Sequence, residues 1–201
     1  MPEHHAESFV GADLYAEDFS DRRYVGCTFN DADLSEATST GAVFEECDFS
    51  GAKLNASSHR GTAFLRCRFR RTSWWGATLA DCKLTGSVFE QAQLRPMTVD
   101  GGDWSYVSLR KADLSGLDLS GVKLAEADLS ESDLTGTILR GCDLSHARVH
   151  NTVVRDADLR GADLAAVRLT DLRLQGTLID VDQAVLLATS HGGRVEPLWR
   201  R

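Results

Sequence analysis

The chain has 201 residues, 42% of them hydrophobic, with 30 acids against 22 Lys and Arg and a formal net charge of −8. That apolar fraction excludes a disordered polyelectrolyte, and no run of about 18 apolar residues offers a membrane span. The negative balance disfavours direct binding to nucleic acid. The opening MPEHHAESF carries acids and lacks the apolar core of a secretory signal. Residues 1–6 are therefore expected to form a flexible N-terminus, and the protein to be cytoplasmic.

From Phe9 onward every fifth residue is large and apolar: Phe9, Leu14, Phe19, Tyr24, Phe29, Leu34 and on to Ile179. Of 35 such positions only Ser39 and His59 depart, and no insertion breaks the register. Two residues earlier the side chain is small (Ala, Cys, Ser, Thr, Val or Gly) at 29 of 35 positions. The exceptions are Glu7, Glu17, Arg22, Met97, Leu117 and Leu172. Glycine keeps the same clock, with 14 of 17 lying two residues after the large apolar one.

A period of five would smear these leucines around an α-helix and send alternate ones to opposite faces of a strand. A short strand followed by a turn, repeated, resolves both conflicts. Each pentad then supplies one side of a coil, with one small and one large side chain inward and three residues outward. ADLSG (112–116), LDLSG (117–121), ADLSE (127–131), SDLTG (132–136), CDLSH (142–146) and ADLRG (157–161) resemble the consensus of the pentapeptide-repeat family. The resemblance covers residues 7–181 and implies an all-β fold, a right-handed quadrilateral parallel β-helix with four pentads per coil. Phe9, Phe29, Phe49, Phe69 and Phe89 would then stack on one face, and Tyr24, Phe44, Phe64, Leu84 and Trp104 on another. The 35 pentads make between eight and nine coils, a rod roughly 40 Å long.

All five cysteines, Cys27, Cys47, Cys67, Cys82 and Cys142, take the small inward position and read as buried reduced thiols. His59 reads as a neutral, hydrogen-bonded interior residue, while His146 and His150 diverge across a corner. No phosphate loop, nucleophile elbow or metal-binding helix motif is present, so no catalytic residue, cofactor or metal is expected. At Pro96 the corner is expected to distort. Met97, oversized for its place, must displace its neighbours and can bend the rod.

The clock stops after Ile179. Residues 182–201 are expected to form a C-terminal helix and tail, capped by Asp180 or Asp182 and ended by Gly192 and Gly193. Ala184, Val185, Leu187 and Ala188 can share one face. Val185, Leu186 and Leu187, with Leu198 and Trp199 beyond, carry more apolar surface than one coil end can bury, and predict a homodimer.

Charge is segregated. Residues 1–50 hold twelve acids and two bases, 51–83 hold seven bases against Asp81, and 100–146 hold nine acids against four bases. In twelve pentads the residue before the large apolar one is Asp. These aspartates can hydrogen-bond the turn backbone, or form columns of carboxylate resembling a DNA phosphate backbone. Beyond the bare repeat, CDFSG (47–51), HRGTAF (59–64), LRPMTVD (94–100) and IDVDQAV (179–185) resemble fluoroquinolone-resistance members of the family from mycobacteria and other actinobacteria. That likeness implies a dimeric, non-enzymatic rod that binds DNA gyrase in place of DNA and protects it from quinolones. It makes Asp113, Asp118, Asp128, Asp133, Asp143, Asp158 and Asp163 the candidate gyrase-facing acids. Self-immunity against another topoisomerase poison, or a scaffold for other proteins, are the alternatives.

Overall fold

In most pentads the large apolar residue opens a tight turn in which its carbonyl accepts the amide three residues on, as from Phe9 to Ala12 at 3.1 Å and from Leu114 to Leu117 at 3.1 Å. Where a regular strand runs through the core residue, as at Tyr24 and Phe44, the corner forms without that bond. The residue two places after the core residue then sits at the corner, where the chain must turn left-handed. Among the 35 corners from residue 6 to residue 176, 14 glycines and 19 other residues have φ between +51° and +76°. The two that do not are Pro96 and Asp171.

The computed structural model describes residues 1–196. Its regular strands are three residues long: β1 (Glu3–His5), β2 (Arg23–Val25), β3 (Thr38–Thr40), β4 (Val43–Glu45), β5 (Ser58–Arg60), β6 (Ala63–Leu65), β7 (Arg68–Arg70), β8 (Thr78–Ala80), β9 (Val88–Glu90) and β10 (Thr98–Asp100). Every pairing is parallel and joins residues 20 apart, as in Tyr24 to Phe44 to Phe64 and Ser39 to His59 to Leu79. Isolated bridges continue the same register as far as Asp158 to Leu178. The result is a parallel β-solenoid with four faces, here named for their first core residues Phe9, Leu14, Phe19 and Tyr24. Residues 3–5, expected to lie outside the coils, form the first rung against β2.

Inside, like stacks on like. Phe9, Phe29, Phe49, Phe69 and Phe89 form one pile with ring centroids 4.7–5.1 Å apart. Tyr24, Phe44 and Phe64 form another at 5.0 Å, meeting the first edge-on. These are the offset and T-shaped arrangements that the ring quadrupole favours. The small inward column accepts Cys, Ser and Thr because each can donate to a carbonyl 23 residues earlier. Cys67 reaches Phe44 O at 3.3 Å and Thr152 reaches Leu129 O at 2.7 Å. Gly102 answers a stricter demand in that column, since a Cβ there would lie 2.3 Å from the Cys82 carbonyl oxygen.

The rungs open at two levels. Around Pro96, residues 93 and 98 keep their partners in the coil before, yet no bridge joins Gln93 to Asp113 or Thr98 to Asp118. Around Asp171, no bridge joins Arg148 to Arg168 or Val153 to Arg173. Both openings lie beside a corner that is not left-handed, and both carry an oversized residue in the small column: Met97 under Leu117, and Leu172. Proline cannot adopt positive φ, and Leu169–Asp171 tightens into a 3-10 turn instead. The distortion expected at Pro96 thus takes the form of lost pairing on two adjacent faces, while the other two stay bonded.

At the far end, α1 (Val181–Ser190) starts on a reciprocal cap: Asp180 accepts the Gln183 amide at 2.9 Å, and the Asp180 amide donates to Gln183 Oε1 at 3.1 Å. Gln183 is buried, and its Nε2 donates to Leu159 O at 2.6 Å and Ala162 O at 2.9 Å. Together with Leu187 one turn later it covers the open last coil. Because these two occupy the inner side, Ala184 and Val185 face solvent instead of the coil.

A non-glycine residue held left-handed costs roughly 1–2 kcal/mol, of which about 1 remains to be gained after glycine's greater loss of chain entropy. Ala56→Gly should therefore raise the thermal midpoint by about 2–4 °C. Gly102→Ala should lower it by more, as read by circular dichroism.

Candidate protein-binding surface

The seven aspartates share one local job. In each, Oδ1 accepts the backbone amide two residues on, at 2.9–3.0 Å from Ser115, Ser120, Ser130, Thr135, Ser145 and Ala165, and at 3.3 Å from Arg160. Three are also neutralised. Arg95 Nη1 donates to both oxygens of Asp113 at 2.7 and 2.8 Å, and Arg148 lies 3.5 Å from Asp128. Asp158 is buried between Arg160, at 2.7 Å, and Arg140, at 2.6 Å. Their hydrogen bonds, Arg160 first, hold its carboxyl well below the usual carboxylate range. For Asp113 and Asp128, burial alone would raise the pKa, but the serine two residues on and the arginine outweigh it and the net direction is down.

Asp118, Asp133, Asp143 and Asp163 keep Oδ2 free of any ion pair among the described residues. They do not share one face. Asp133 stands on the Leu14 face one rung above Asp113, Asp143 and Asp163 occupy adjacent rungs of the Tyr24 face, and Asp118 is on the Phe19 face. The acid display therefore wraps the rod.

A second set of acids lies outside the seven, two of them (Asp13 and Asp18) at the same aspartate position of the repeat and three at corners. Asp13, Asp18, Asp21, Asp31 and Glu36, in the first coils, have no ion pair among the described residues. The charge tally of residues 1–50 was the signal that marked them. In the adjoining basic band, Arg66 is tied to Glu45 at 2.5 Å and Glu46 at 3.1 Å, whereas Arg68, Arg70 and Arg71 make no ion pair among the described residues.

The remaining polar candidates are interior. His59 is 2% exposed, with Ser39 Oγ 2.6 Å from Nδ1 and Ser57 Oγ 3.1 Å from Nε2. Burial pushes its pKa down to about 4. Burial likewise pushes the thiols of Cys82 and Cys142 up, to about 11 and about 12, and all five cysteines are free and buried. Among the described residues no group of His, Cys, Asp and Glu is placed to hold a metal ion. No described helix is long and apolar enough to cross a membrane.

Since the folded His59 resists protonation, the unfolded chain takes its proton first as pH falls. The contribution of His59 should be full above about pH 6.5 and be lost progressively between 6.5 and 4. The loss should approach 3 kcal/mol, roughly 1.4 per pKa unit. His59→Leu should flatten that interval in urea titrations; an unchanged slope would contradict the assignment.

The family model for pentapeptide repeats matches eight copies, over residues 25–58, 64–95, 105–141 and 142–178. No curated protein matches the chain. Among solved structures, two trypsin-treated forms of QnrB1, a plasmid-mediated fluoroquinolone resistance protein, superpose along nearly the whole chain. One has a TM-score of 0.62 at 24% identity over 96% of this chain and 99% of that one. The other has 0.54 at 23% identity over 97% and 100%. HetL, a pentapeptide repeat protein involved in heterocyst differentiation regulation in the cyanobacterium Nostoc, is 28% identical over 88% of this chain and 84% of its own, with a TM-score of 0.38. The likeness to QnrB1 is one of fold. The repeat match spans well over half the chain, and on that ground the chain belongs to the pentapeptide-repeat family.

Proposed function

We propose that this chain is a DNA-mimic protein that binds DNA gyrase and modulates it or protects it from quinolones, as its likeness to the mycobacterial fluoroquinolone-resistance protein MfpA implies. One observation carries the reading: carboxylates locked by their own turns, each with a second oxygen free of ion pairs, distributed around the rod, two of them (Asp143 and Asp163) on adjacent rungs. A side chain already immobilised by a backbone amide loses little further entropy on binding. At Asp143 and Asp163, rungs about 4.8 Å apart give a charge spacing of the same order as that of a nucleic-acid backbone. The charge suits a local contact, since twice −8 gives only −16 for a dimer.

The functional unit in this reading is a homodimer. Leu178 is 49% exposed, Val181 78%, Val185 38% and Leu186 42%, apolar side chains around α1 that a second copy would cover. Leu187 has a different duty, because it lines the space between α1 and the last coil together with Leu172, Leu174 and Ile179. Leu198 and Trp199 lie outside the described residues.

Asparagine can accept the same turn amide, so changing Asp118, Asp133, Asp143 and Asp163 together to Asn removes four charges and keeps the corners. The quadruple variant should melt like the parent and lose gyrase inhibition and quinolone protection by at least about ten-fold, with parental binding weakened by salt. Full activity in the variant, or no effect of the parent on supercoiling, would overturn the reading. For the dimer, Val185→Asp with Leu186→Asp should halve the mass seen by light scattering, and an unchanged mass would refute the contact.

A further inference from the structure

The opening beside Asp171 leaves backbone groups that a regular rung would use. In the coil below, Leu134 N donates to Val153 O at 2.7 Å and Val153 N donates to Ser132 O at 3.0 Å. One rung higher the matching groups, the Thr152 carbonyl and the Val154 amide, have no backbone partner, because Arg173 O accepts the Gln175 amide at 3.0 Å instead. Between the separated strands lies a cleft of about 480 Å³ on the Leu14 face, walled by Asn151, Val153, Arg155, Arg173 and Gln175. Neither Arg155 nor Arg173 makes an ion pair among the described residues. Asp171 supplies the one carboxylate of the lining, and it lies 3.6 Å from His150. Val153 adds an apolar wall, 45% exposed.

We propose that this cleft receives an extended acidic segment of a partner protein, which pairs with the open Thr152–Val154 edge and directs its carboxylates to Arg155 and Arg173. The components match strand addition: an unpaired donor and acceptor two residues apart on one edge give backbone pairing, and flanking side chains choose the sequence. Two guanidiniums select carboxylates through charge-assisted hydrogen bonds. A nucleic-acid strand fits less well. Its phosphates cannot donate to the Thr152 carbonyl, and the chain's net charge of −8 repels a long polyanion. Asp133 lies one rung below Val153 on the same face, while Asp118, Asp143 and Asp163 stand on other faces; peptide binding is read without gyrase, so its test is independent of the gyrase reading.

The probe is a fluorescent eight-residue peptide of alternating Glu and Val, titrated into the full-length protein. Binding should be saturable, and exchange of the Val154 amide with solvent should slow when the peptide is present. Arg155→Glu combined with Arg173→Glu should weaken binding at least ten-fold while Arg60→Glu leaves it unchanged, with melting curves confirming that each variant is folded. N-methylation of alternate peptide amides should also abolish it. The proposal is overturned by no binding at millimolar peptide, by binding indifferent to the arginine reversal or to N-methylation, or by equal binding of a thymidine oligonucleotide.

Discussion

A left-handed residue at every fifth position is the constraint on which this molecule depends. It turns a three-residue strand through a corner soon enough for the next strand to begin, and its regularity brings residues 20 apart into register. The chain meets it at 33 corners, 19 of them without glycine. Each of those 19 stores roughly 1–2 kcal/mol of backbone strain. What offsets that cost is the stacked interior, where rings lie 4.7–5.1 Å apart and nearly every core side chain is fully buried. Where the corner fails, at Pro96 and Asp171, the rungs part. The local turn and the long-range ladder are one structural event.

The same turns organise the surface. An aspartate just ahead of the core residue closes its corner by accepting an amide two residues on, so structural and functional readings of these carboxylates are compatible. One oxygen serves the fold and the other is left to the solvent. Whether that second oxygen carries effective charge depends on which arginines reach it: Arg95 silences Asp113 from 18 residues away, and Arg160 of the same coil together with Arg140, 18 residues away, silences Asp158. Rigid, partly neutralised acid distributed around a rod presents a charge pattern without any concave site. The cleft of about 480 Å³ beside Asp171 lies where that regularity lapses.

Much of this was legible in the residues themselves. Period five with a small residue two places earlier required stacked pentads, and the exceptions Met97, Leu117 and Leu172 fall at the levels where pairing opens. His59 and the cysteines were legible as interior because their places in the register were. Less could be read of the aspartate pairing, since contacts between coils depend on where long arginine side chains reach. The inner side of α1 was also obscure: a glutamine faces the core there, which is favourable only because the carbonyls of Leu159 and Ala162 await its amide. The role of Pro96 was visible as trouble, but the lost pairing followed from a corner that proline cannot make.

Vertical stacking can be measured directly by placing spin labels on one face of the rod. With the buried cysteines replaced, labels at positions 8 and 108, five coils apart on the Phe9 face, should lie about 24 Å from one another, and so should labels at 28 and 128. Labels at 28 and 108, four coils apart, should come about 5 Å closer. Distances that do not grow in equal steps with the number of intervening coils would contradict the account, and with it the geometry of the acidic surface.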